Sequence, residues 1–116
     1  MLPRARSEHL VVEKLPDETI VCDLEQNASH SLPPLTALVW SGCDGATSVD
    51  GLVVMARRRG VEADAELVSA ALDELGRVGL VSGWERRRMS RRALLRNAAG
   101  VIGIATILAP EISEGR

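Results

Sequence analysis

Apolar and polar positions follow two different periods along the chain, and the change falls at Pro33-Pro34. Before the prolines, three short runs alternate like strands and are separated by turn residues. Leu10-Val11-Val12-Glu13-Lys14-Leu15 ends at Pro16-Asp17, and Thr19-Ile20-Val21-Cys22-Asp23 ends at Glu25-Gln26-Asn27. These two predict a hairpin across Pro16-Asp17-Glu18, with Asn27 the residue expected to take a positive φ in the next turn. Ala28-Ser29-His30-Ser31-Leu32 reads as a third, weaker strand. It carries neither lysine nor proline, so a short polar strand at the end of a meander predicts a free sheet edge.

After the prolines the period becomes helical. Pro34 suits a first helical turn, where its missing N–H costs nothing. Leu35, Leu38 and Val39 recur at helical spacing beside Trp40, and Gly42 with Asp44-Gly45 turns the chain. Thr47 or Ser48 is a cap for a second helix, with the stripe Val49, Leu52, Val53 and Ala56 and an end at Arg57-Arg58-Arg59-Gly60. Asp64 is a cap for a third, running to about Val78, with Leu67, Val68, Ala71, Leu72, Leu75 and Val78 on its apolar face and Asp73, Glu74 and Arg77 on its polar one. The expected fold is therefore α+β: a small three-stranded antiparallel sheet followed by three helices, in a winged-helix-like order. Residues 1–9 read as a flexible arm, 10–83 as the domain and 84–116 as a basic and apolar helical tail.

Composition narrows the picture. With no Phe, no Tyr and two Trp in 116 residues, the core rests on Val, Leu, Ile and Ala, which speaks against a deep aromatic-lined catalytic pocket. Residues 1–83 carry 7 Lys/Arg against 13 Asp/Glu, a balance of −6, whereas residues 84–116 carry 7 against 3, a balance of +4. An acidic body is the wrong sign for nucleic-acid binding, so the three arginines read as a solvated helix end.

The tail joins Arg86-Arg87-Arg88 and Arg91-Arg92 to an uncharged run from Ala98 to Ala109, stopped by Pro110. That run falls short of the roughly 20 residues of a membrane span. Three readings stay open: a helix on a membrane surface through residues 84–110, a helix packed on a partner or on the domain, and an export-like signal, since Ser90-Arg91-Arg92-Ala93-Leu94-Leu95-Arg96 is similar to the twin-arginine pattern. No N-terminal signal is read at Met1–Arg6, which places the chain in the cytoplasm, at the inner face of the membrane if the tail binds lipid.

Candidate chemistry is sparse. Cys22 and Cys43 have no ligand spacing to a His or Cys and read as reduced, half-buried thiols. His9 falls in the arm, and His30 reads as a partly exposed strand residue with no nucleophile placed beside it. Adjacent Asp73 and Glu74 cannot face each other on a helix. The glycines have no phosphate-loop spacing. No catalytic residue, metal or cofactor is expected.

The order of elements and several local words resemble the PqqD family, the leader-peptide recognition domains of ribosomally made, modified peptides. The words are Val11-Val12-Glu13, Ile20-Val21 with Asp23, Leu32 before the helix, Ala37-Leu38-Val39-Trp40 with Cys43-Asp44-Gly45, Thr47 and Val49, and Leu72-Asp73-Glu74-Leu75 with Gly79-Leu80-Val81. The resemblance covers about residues 8–82. Pro33 and Leu35 depart from it, standing where a polar and a small hydroxyl residue are usual. It implies a non-catalytic chaperone that binds a precursor's leader and presents it to a peptide-modifying enzyme. The leader would add as a strand along Ala28, Ser29, His30, Ser31 and Leu32 and lie against Leu67, Ala70, Ala71 and Glu74 of the third helix. A free edge at 28–32 agrees with strand addition on physical grounds alone. The alternatives are a winged-helix nucleic-acid module and a membrane-tethered adaptor.

Overall fold

The computed structural model describes residues 2–85 and 100–108. The chain forms β1 (Arg4–Ala5), β2 (Leu10–Lys14), β3 (Thr19–Asp23), β4 (Ala28–Leu32), α1 (Pro34–Ser41), α2 (Val49–Arg58), α3 (Ala65–Arg77), β5 (Val81–Ser82) and β6 (Ala105–Leu108). The fold is α+β, with the β2-β3-β4 antiparallel meander preceding three helices, as the two periods predict.

Local chemistry sets the boundaries. Asn27 takes φ 54° in the turn between β3 and β4. Pro33 caps α1 without a side-chain bond and Pro34 opens it, so the sequence departures there leave a helix start fixed by proline geometry alone. Ser48 Oγ accepts the Gly51 N–H at 3.2 Å to start α2, and Asp64 Oδ1 accepts the Leu67 N–H at 2.8 Å to start α3. Gly42 ends α1 where α2 crosses closely: a Cβ there would lie 2.7 Å from a Leu52 methyl and 2.8 Å from Met55.

The core lies between the inner face of the sheet and the helices, with Val21, Leu32, Val39, Leu52, Val68, Leu72 and Leu75 fully buried. Trp40 ties α1 to the end of the domain through its Nε1–H, which donates to the Leu80 carbonyl at 2.9 Å.

Three expectations are corrected. Residues 1–9 are not a loose arm: β1 pairs with β5, Pro3 is buried, and the Pro3 carbonyl accepts from Gly45 N at 2.8 Å. The 28–32 strand is not a free edge. Among the described residues the sheet has four strands in the order β2-β3-β4-β6, and β6 lies antiparallel along β4. Residues 105–108, expected within a helical tail, therefore form a strand. The rest of the tail, including the twin-arginine-like stretch, lies outside the described residues. Among the described residues, no helix is long and apolar enough to cross a membrane.

Candidate functional site

The residues singled out in the sequence converge on the junction of β4 and α3, and a segment of the chain itself fills that junction. Backbone pairing sets Ala28 opposite Leu108, Ser29 opposite Ile107, His30 opposite Thr106 and Ser31 opposite Ala105. Leu32 lies beyond the paired stretch and points into the core. Ala28, His30 and Leu32 face inward and alternate with half-buried Ser29 and Ser31. The Ser31 hydroxyl donates to Glu18, and Ser29 Oγ lies 3.6 Å from Cys22 Sγ.

His30 is 2% exposed rather than partly open. Its Nδ1 shares a 2.9 Å hydrogen bond with the Thr106 hydroxyl, and its Nε2 is buried with no hydrogen-bond partner among the described residues. Burial pushes the imidazole pKa below its ordinary value; nearby Asp23 opposes the shift, while Arg77 and Arg6 add to it.

Just before β6, the chain runs against the helices. Ile102 is fully buried and Ile104 nearly so, in one core cluster with Leu67, Ala70 and Ala71. By transfer each contributes about 2 kcal/mol. Polar groups hold the backbone between them. The buried Thr36 hydroxyl of α1 donates to the Ile102 carbonyl at 2.8 Å. Glu74 Oε1 accepts the Ile104 N–H at 3.0 Å, and Arg77 donates to the Ile104 carbonyl at 3.3 Å. Glu74 and Arg77 also pair with each other at 2.9 and 3.0 Å. The groove continues past Gly100 and Val101 into an open cleft of about 870 Å³ beside Leu35, Ala63 and Leu67.

Thus the structure brings Ala28–Ser31 and Glu74 onto one extended segment and places Leu67, Ala70 and Ala71 in the wall behind it. The sequence reading missed Thr36, Arg77, Ile102, Ile104 and Thr106. The signal for the last three was present: Val101, Ile102, Ile104, Thr106 and Ile107 are β-branched, and Gly100 and Gly103 disfavour a helix.

Asp73 is not on a solvated face. It is buried and accepts the Trp84 Nε1–H at 2.8 Å. Cys43 is buried, its Sγ–H donates to the Val39 carbonyl, and burial pushes its pKa up to about 12, so the thiolate is inaccessible at neutral pH. Among the described residues no cluster of three or more His, Cys, Asp or Glu could hold a metal ion. Arg57 is turned onto the Ala63 carbonyl at 2.9 Å, while Arg58 and Arg59 are exposed at the end of α2.

Comparison of the chain with protein-family profiles, with characterised proteins and with solved structures gives no match.

Proposed function

We propose that this protein is a non-catalytic peptide-binding chaperone that receives the leader of a ribosomally made precursor peptide and presents it to a modifying enzyme. The observation that carries the reading is the manner in which residues 102–108 are held. Residues 105–108 lie antiparallel on β4, held by backbone pairing, and just before them Ile102 and Ile104 are buried in the core cluster that includes residues of α3. Peptides that bind by strand addition are held in this way, with main-chain bonds supplying affinity and side-chain pockets supplying selectivity. The PqqD-like words in the sequence name the leader as the peptide class. The acidic body supports a protein ligand over a nucleic acid.

The test is fluorescence anisotropy of a labelled leader, from the precursor encoded beside this gene, titrated with the full chain. Saturable binding that survives 0.5 M salt is the expected result. Absence of binding at tens of micromolar, both by the native chain and by a chain whose β6 can no longer pair, contradicts the proposal.

A further inference from the structure

We propose that residues 102–108 are a tethered occupant of the peptide site, and that an incoming peptide displaces them by carrying the same pattern. That pattern is two branched aliphatic side chains two residues apart, followed by a short strand. The inference rests on the peptide-binding reading and adds to it a ligand class and a gate.

The hold on the segment is uneven. Ile102 and Ile104 are buried, but all four residues of β6 are exposed, Ile107 at 72% and Leu108 at 71%. Backbone bonds to β4 and the Thr106 hydroxyl's bond with His30 therefore hold the strand, and any chain of similar shape can replace the backbone bonds.

Withdrawal of the segment uncovers the apolar wall that Ile102 and Ile104 fill and takes the Thr106 hydroxyl from His30 Nδ1, so an incoming peptide must replace both. Glu74 keeps its two bonds to Arg77. Thr36 loses its bond to the Ile102 carbonyl, which the backbone of an incoming peptide must replace. The uncovered edge of β4 passes to water or to another strand. The fit is also incomplete, because among the described residues His30 Nε2 has no partner with this segment in place. A peptide that brings a polar group to that nitrogen gains a bond the tethered segment does not make. Because the occupant is part of the chain, its competition does not weaken on dilution.

The experiment uses the full chain and the Thr106→Pro/Ile107→Pro variant. Neighbouring strand residues point their N–H groups to opposite sides, so the pair removes the bond to β4 whichever residue makes it. The probe is a labelled synthetic peptide with the sequence of residues 100–108. The expected result is at least tenfold tighter binding by the folded variant than by the native chain, lost when both isoleucines matching Ile102 and Ile104 are aspartate in the probe. Equal affinity, or no binding by the folded variant, overturns the proposal. If the variant fails to fold, hydrogen exchange on the native chain decides. Amides of residues 104–108 at least 100-fold less protected than those of Val21 and Cys22 support a displaceable segment; equal protection makes β6 an integral strand and overturns it. The two levels separate: if the opened variant binds the probe but no precursor leader, the gate stands and the leader reading fails. If native and opened chains bind a leader equally, the leader reading stands and the gate fails.

Discussion

His30 is the residue at which β3, β4 and β6 meet the core, and burial makes its imidazole harder to protonate than in the unfolded chain. Burial lowers its pKa, so the unfolded chain takes up a proton that the folded imidazole resists. The stability contributed is complete above the unfolded value of about 6.5 and is lost as pH falls below it. Urea midpoints at pH 7.5 and pH 5.5 should differ in the native chain, with the lower value at pH 5.5, and the difference should shrink in His30→Gln. An undiminished difference in the variant would assign the effect elsewhere. Asp23 works in a lower window. It is 1% exposed, accepts from Arg6 at 2.6 and 3.0 Å, and accepts the backbone N–H groups of Glu25 and Gln26. The Arg6 guanidinium, first, and these N–H groups hold its carboxyl below the usual range despite burial, so its contribution is present above the ordinary Asp value and lost as pH falls through the depressed one. Asp23→Ala leaves those donors unmet and should cost about 2 kcal/mol in denaturant unfolding. A loss within about 0.5 kcal/mol, the scale of an ordinary surface substitution, would mean that Arg6 finds water instead.

At the scale of elements, local signals were enough for the β2–β4 meander and the three helices, because their periods, caps and turn residues all lie within the segments they define. Ser48, Asp64, Asn27 and Pro34 each act within a turn of their position in sequence. What escaped was long-range. The pairing of Arg4–Ala5 with Val81–Ser82, and of Ala28–Ser31 with Ala105–Leu108, joins stretches more than 70 residues apart, and no local pattern in β4 announces its partner. The buried position of Asp73 likewise depends on Trp84, eleven residues on, folding back over α3. The alternation of Ala28–Leu32 was legible because a strand pattern is local, but its expected edge character failed because the covering strand comes from residues 105–108; that apolar run was read as helix although its β-branched residues and glycines favour a strand. One consequence is mechanical. With β3 on one side and β6 on the other, β4 has no solvent-facing ladder, so Ser29→Pro or Ser31→Pro should destabilise the whole domain by about 3 kcal/mol or more. Thermal unfolding of each against Ile107→Pro, where the outer side of β6 is open among the described residues, should show the β4 prolines to be the more damaging. The reverse order would mean that β6 holds the domain together.

At the scale of the whole molecule, the acidic body packs a helix trio on a sheet whose last described strand comes from residues 105–108. The charge balance of −6 over residues 1–83 predicts no saturable binding of duplex DNA at 150 mM salt, checked by gel shift with the full chain. Salt-sensitive, saturable binding would revive the nucleic-acid reading. The central claim is that the junction of β4 and α3 receives an extended peptide. The most direct measurement is an amide chemical-shift titration of the isotopically labelled full chain with the precursor leader. The account predicts shifts concentrated at Ala28–Ser31, at Ala70–Glu74 and at Ile102–Leu108, with β6 amides moving toward exposed-coil values as the leader takes their place. Shifts confined to β1, β2 or α2, or none at saturating leader, would contradict it.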